Sequence, residues 1–163
     1  MKPRILLIYT GGTIGMMANP STGELQSLDF EYIHQQIPEI ARLGLEVIPI
    51  SIAQPIDSSH MQPAHWTELV ELIAQHEATV DGFVILHGTD TMAYTASALS
   101  FMIQGLAKPI VLTGSQLPVG ILRSDGKENL LTALEIAGKK GSTGKPLLQE
   151  VAVFFQSKLF RGN

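Results

Sequence analysis

The sequence predicts an α/β fold in which helices cover both faces of a mostly parallel sheet. Three observations predict it. Five short apolar runs lack polar alternation, as strands buried on both faces do. Longer segments between them repeat apolar residues at helical spacing. Each of the first four runs leads into a loop rich in glycine or hydroxyl side chains, where ligands bind in parallel sheets.

Each element follows in order. Ile5–Tyr9 is the first strand and runs into Thr10-Gly11-Gly12-Thr13. Asn19–Ser27 reads as a hairpin or flap over that loop, with Gly15 as its hinge. Asp29 is placed to cap a helix Phe30–Gln36, with Pro38 near its end. Leu45–Ile52 is the second strand, followed by Asp57-Ser58-Ser59. Pro63 starts a helix reaching about His76, with Trp66, Leu69, Val70 and Ile73 on one face. Phe83–Leu86 is the third strand, leading into His87-Gly88-Thr89-Asp90-Thr91. The helix Thr91–Gln104 has small residues (Ala93, Ala96, Ser97, Ala98, Ser100) suited to close packing on the sheet, and Gly105 is placed to end it. Ile110–Leu112 is the fourth strand, before Thr113-Gly114-Ser115-Gln116. Asp125–Gly138 is a helix, Gly138–Pro146 a surface loop, and Val151–Phe155 the fifth strand. Alternation of this kind implies parallel strands joined by right-handed crossovers.

A chain of 163 residues is the size of one domain, 1–163, and 45% hydrophobic residues suffice for a packed core. The formal charge of −4 favours neither nucleic acid nor an anionic membrane as partner. No apolar stretch is long enough to span a bilayer, and no signal-peptide pattern is present. The chain has no cysteine, which excludes disulfides and a thiol nucleophile and fits the cytoplasm. No Cys/His ligand spacing calls for a metal.

The first loop, TGGTIG, fits neither the dinucleotide fingerprint nor the P-loop, and no lysine follows it. Nucleophilic catalysis suits it better. Thr13 sits in a glycine-flanked turn whose N–H groups can stabilise an oxyanion. Thr89 is followed at once by Asp90, which can accept a hydrogen bond or bind an ammonium group. Such a pair needs a tuning group, typically a lysine. A small zwitterion would suit Asp90 with Asp57, Ser58 and Ser59. The plainer reading is helix capping, by Thr89 or Asp90 for one helix and by Ser124 or Asp125 for the next. His87 reads as a buried, hydrogen-bonded turn histidine, and Trp66 as packing. His34, His60, His65 and His76 read as ordinary surface residues. The catalytic case rests on the loops together.

The segments TGGTIGM, DSSHM, GFVILHGTDTMAYTASALSFM, TGSQLP and RSDGKENLLTAL closely resemble the L-asparaginase family, in its bacterial cytoplasmic type I branch. The resemblance runs along essentially the whole chain, and its paired signature, TGGTIG with HGTDT, is highly specific. It implies a flavodoxin/Rossmann-like, three-layer domain that hydrolyses L-asparagine to L-aspartate and ammonia through an acyl-enzyme, without metal or cofactor. It implies Thr13 as nucleophile, with Thr89, Asp90 and a downstream lysine as a second catalytic group. Asp57, Ser58 and Ser59 would bind the α-amino and α-carboxylate ends, with Asp90 contributing to the ammonium site. The Ser115 backbone would contact the side-chain amide. The family's dimers or tetramers complete each site from a neighbouring subunit.

Two departures are visible. The flap stretch Ser21-Thr22-Gly23-Glu24-Leu25 has no tyrosine where the family uses one; Tyr32 and Tyr9 lie elsewhere. The family's lysine lies a few residues beyond an Arg-Gly-Asn segment, and here Arg161-Gly162-Asn163 ends the chain. Lys158 does not match it. The expectation is an N-terminal catalytic domain without its C-terminal partner, inactive alone because triad members act as a unit. The rival readings are a glutaminase-asparaginase, an amidotransferase-type amidohydrolase, and a non-catalytic binding or oligomerisation domain.

Overall fold

The computed structural model describes residues 2–18, 25–27, 33, 37–105 and 107–163. Of the expected helix Phe30–Gln36 only Ile33, which is helical, is described; its Asp29 cap, the flap segment 19–24 and Tyr32 lie outside the described residues.

The expected strands all form. They are β1 (Arg4–Tyr9), β4 (Glu46–Ser51), β5 (Gly82–Leu86), β6 (Ile110–Thr113) and β7 (Val151–Phe155). With β8 (Lys158–Arg161) they make a six-stranded sheet in the order β4-β1-β5-β6-β7-β8. The first five strands are parallel. Counted among themselves they run 2-1-3-4-5, the flavodoxin-like order. A small antiparallel hairpin pairs β2 (Met16–Ala18) with β3 (Leu25–Ser27). The expected hairpin therefore exists, but its first strand starts ahead of Asn19.

Among the described residues, three helices with defined bounds connect the parallel strands: α1 (Pro63–His76), α2 (Met92–Met102) and α3 (Asp125–Gly138). Side chains of a strand alternate between faces, and β1 divides accordingly. Leu6 and Ile8 pack with Leu69 and Ile73 of α1 and with Met92, Ala96 and Leu99 of α2. Ile5, Leu7 and Tyr9 pack with Ile33, Ile37 and Ile40 and with Leu130, Ala133, Leu134 and Ala137 of α3. Each fully buried Leu or Ile contributes about 1.5–3 kcal/mol, whereas an exposed ion pair such as Lys140–Asp81 contributes about 0–1 kcal/mol. The two apolar layers therefore hold the fold.

That division corrects one expectation. The crossovers β5–α2–β6 and β6–α3–β7 step in the same direction along the sheet, yet α2 and α3 lie on opposite faces. They must have opposite hands. The path β4–α1–β5 shares the hand of β5–α2–β6 by the same test, as does the β1-to-β4 crossover, whose Ile33 and Ile37 lie on the α3 face. The common hand is right-handed, so β6–α3–β7 is left-handed. The usual rule presumes a helix that packs back directly on its strand. Here the long connections 114–124 and 139–150 give α3 room to cross to the other face.

Other expectations shift in detail. β4 is only half-buried, because it is an edge strand. The helix expected over Thr91–Gln104 ends at Met102, where Ile103 turns extended; Gly105, with φ of +77°, lies in the turn beyond it. The segment after Phe155, for which the sequence predicts no element, folds back as β8. Gln156 and Ser157, with φ of 48° and 61°, form a two-residue turn that pairs Phe155 with Lys158. No helix among the described residues is long and apolar enough to cross a membrane.

Candidate active site

The loops after β1, β4, β5 and β6 meet at the carboxyl edge of the sheet. Helices leave for opposite faces on either side of β5, so this edge is where such folds open a crevice. The meeting is shown by how little room the glycines leave. A Cβ on Gly12 would stand 2.5 Å from the Gly88 nitrogen, and one on Gly11 would stand 2.0 Å from the Ile56 carbonyl oxygen. One on Gly88 would stand 2.4 Å from Ser58 Oγ, and one on Gly114 would stand 2.3 Å from the His87 carbonyl oxygen. Gly11 and Gly12 also have φ of 118° and 86°, a region that L side chains rarely adopt. Backbone thus touches backbone among all four loops.

Thr13 opens a short 3-10 turn, Thr13–Gly15, and its side chain is half-buried. No hydrogen bond joins its hydroxyl to another described residue. Thr10 is structural: its hydroxyl donates to the Leu86 carbonyl at 2.9 Å and ties β1 to β5. The Tyr9 hydroxyl donates to the Gly15 carbonyl at 3.2 Å and braces the turn from below.

Thr89 is half-buried and Asp90 exposed. Neither caps α2, whose N-cap position is Thr91; the Thr91 hydroxyl donates instead to the Ser58 carbonyl at 2.7 Å. Below them lies a polar chain that sequence reading did not find. The Trp66 indole N–H donates to Thr95 Oγ1 at 3.0 Å, and Thr95 Oγ1 lies 2.9 Å from His87 Nε2. His87 Nδ1 lies 2.7 Å from the Gly88 carbonyl oxygen. A carbonyl only accepts, so Nδ1 carries the proton, Nε2 accepts, and the Thr95 hydroxyl donates. Burial lowers the His87 pKa, outweighing the hydrogen bond to Gly88, so the ring is neutral. The expected buried turn histidine is present, but Trp66 is more than packing. Among the other histidines, His65 Nδ1 accepts from the Gln62 N–H at 3.0 Å at the start of α1, and His76 Nδ1 contacts the Leu72 carbonyl at 2.9 Å. His34 lies outside the described residues.

Asp57 is exposed and accepts from the Ser59 N–H at 2.8 Å and the Ser59 hydroxyl at 2.7 Å. Those bonds, the backbone one first, lower its pKa. It also caps the 3-10 turn Ser58–His60. Ser58 is buried against Gly88. Ser115 is buried, with its hydroxyl donating to the Leu117 carbonyl at 2.6 Å. Ser124 caps α3, accepting from the Gly126 N–H at 3.0 Å. No group of three or more metal-ligating side chains occurs among the described residues. An apolar groove of about 600 Å³ lies at the opposite, amino-terminal edge of the sheet, between Leu43, Leu45, Ile136, Leu147 and Leu159. It is remote from the four loops and no hydroxyl side chain lines it, so the carboxyl edge remains the candidate site.

A three-layer α/β domain with two threonine loops in contact at its ligand edge defines the class. Residues 4–163 match the family model described as "Asparaginase, N-terminal". The chain belongs to this family. It is 46% identical to L-asparaginase 1 of Escherichia coli K12 across 99% of its own length and 46% of that protein's. It is 43% identical to the mouse 60 kDa lysophospholipase across 98% of its length and 31% of that protein's. Among solved structures, L-asparaginase I from Vibrio cholerae superposes with a TM-score of 0.87 at 44% identity, covering 100% of this chain and 47% of that one. The chain thus spans about half the length of these two asparaginases.

Proposed function

We propose that residues 1–163 are the N-terminal, nucleophile-bearing domain of a cytoplasmic L-asparaginase. In this reading the Thr13 hydroxyl attacks the side-chain amide carbon of asparagine. The carbon–nitrogen bond breaks, the hydroxyl proton goes to the departing nitrogen, and ammonia leaves. Water then hydrolyses the Thr13 ester to release aspartate. Thr89 and Asp90 act with a lysine expected beyond Asn163 in tuning proton transfer. Asp57, Ser58 and Ser59 hold the α-amino and α-carboxylate groups, Asp90 adds to the ammonium site, and the Ser115 backbone meets the amide. The chemistry needs no metal or cofactor. The gene product would work as a homodimer or homotetramer, with neither nucleic acid nor membrane as partner.

The observation that carries this reading is the contact of Gly12 with Gly88, because it puts the Thr13 and Thr89 turns side by side. The family membership and the half-buried position of Thr13 support it. The test is ammonia release from asparagine and from glutamine by the full gene product and by residues 1–163. Turnover of asparagine by the gene product, and a loss on the order of 10³-fold or more in Thr13→Ala, are expected. Residues 1–163 alone should be inactive. Preference for glutamine would move the assignment to a glutaminase-asparaginase, and no turnover of either amide would favour a binding or oligomerisation domain.

A further inference from the structure

The loop after β6 carries Ser115, whose hydroxyl is engaged with the Leu117 carbonyl, and the rest of its bracing comes largely from the start of α3. The Asp125 carboxylate accepts from the Gln116 N–H at 3.0 and 3.1 Å and from the Leu117 N–H at 3.1 Å. Asn129 Nδ2 donates to the Gly114 carbonyl at 2.9 Å and to Asp125 Oδ2 at 3.3 Å. The Ser124 hydroxyl donates to the Leu117 carbonyl at 2.9 Å, joining the bond from Ser115. Gly126 fits under the loop because a Cβ there would press within 3.1 Å of the Ser115 side chain.

We propose that Asp125 and Asn129 are positioning residues for the amide hydrolysis, clamping the loop Gly114–Leu117 against Thr89. The proposal rests on the functional reading above and extends it to residues outside the catalytic group. Gly114 is the point of transmission. Its Cβ position lies 2.3 Å from the His87 carbonyl oxygen and 3.6 Å from Thr89 Cγ2, so the loop lies directly against the Thr89 turn. The clamp ties down the Gly114 carbonyl and the Gln116 and Leu117 N–H groups. It leaves the N–H and carbonyl of Ser115 without partners among the described residues. A loop fixed on either side of one open peptide presents that peptide in a set direction. Asn129 is 2% exposed, so water does not readily replace its bonds. The carboxylate makes charge-assisted bonds that an amide of the same shape cannot reproduce, because one of its two ends is a donor. The left-handed crossover matters here: it brings the first turn of α3 under this loop on the Ile5–Leu7–Tyr9 face of the sheet.

The test is steady-state kinetics of the full gene product with asparagine and glutamine, for Asp125→Asn, Asn129→Leu and the double variant. Lys108→Met is the stability control; it removes bonds to the Val80 and Glu77 carbonyls at the far edge of the sheet. Each single variant should lower kcat/KM on the order of 10–100-fold, with KM raised and the ratio of asparagine to glutamine turnover changed. The double variant should lose little more than either single one, because the two side chains act as one unit. The control should lose thermal stability while keeping its kinetics. The proposal is overturned if both single variants stay within about 3-fold of wild type, or if the control loses activity in step with its stability. Asp125→Asn decides alone should Asn129→Leu not fold. If the wild-type gene product turns over neither amide, the functional reading fails and hydrogen exchange decides the clamp. Faster exchange at the Gln116 and Leu117 amides in Asp125→Asn sustains it, and unchanged exchange sinks it.

Discussion

The two threonine loops touch, yet they are held by different means. The Thr10–Gly15 loop, though braced by the Tyr9 and Thr10 hydroxyls, is confined chiefly by lack of space. Its glycines sit in backbone conformations that L side chains rarely adopt, and Ile56 and Gly88 fill the places where Cβ atoms would go. The His87–Thr91 loop is held by side-chain hydrogen bonds, from Trp66 through Thr95 to His87 and the Gly88 carbonyl. A loop held sterically tolerates no added atom. A loop held by a buried polar chain tolerates changes of size better than the loss of a partner. The nucleophile candidate belongs to the first kind, and its neighbour Thr89 to the second.

The largest effect is expected where the two loops press together. Gly12→Ala puts a methyl group against the Gly88 backbone at a φ of 86° and should destabilise by about 2–4 kcal/mol, read by urea denaturation. A loss under about 1 kcal/mol would mean that the loops separate easily and that the steric account is wrong.

Thr95→Val keeps the shape and removes the hydroxyl. It leaves the Trp66 N–H and His87 Nε2 without their partner in a buried position and should cost about 1–3 kcal/mol. Thr95→Ser should restore most of it. Equal stability of the valine and serine variants would show that the chain does not hold the second loop.

The smallest effect is in pH dependence. The folded His87 pKa lies below the ordinary value near 6.5, so the unfolded state binds the proton first as pH falls. Stability should therefore decline as pH drops below about 6.5 and level off only beneath the folded pKa. His87→Gln should flatten that slope in denaturation series between about pH 6.5 and 5, whereas Gly12→Ala should shift the whole curve without changing its shape. A slope unchanged by His87→Gln would assign it to other groups.

The pattern of apolar runs determined the five parallel strands, the positions of α1 and α3, and the edge where the loops gather. That information is local: periodicity and glycine placement report which segments are buried and where the chain turns. The paired signatures around Thr13 and Thr89 were equally legible. What lay beyond reach depended on contacts between distant residues. Trp66 and Thr95 are 29 positions apart, and nothing in either neighbourhood announces that they share a hydroxyl with His87. The sequence offered Ser124 or Asp125 as the helix cap; Ser124 takes that place and leaves the Asp125 carboxylate to the Gln116 and Leu117 amides. The turn at Gln156 and Ser157 carries none of the residues that favour positive φ, so β8 had no local signal. The hand of the β6–α3–β7 crossover was decided only by which face α3 found. The 3.6-residue pattern fixes that a helix has an apolar side; which face of the sheet that side covers is settled by the packing of the whole domain.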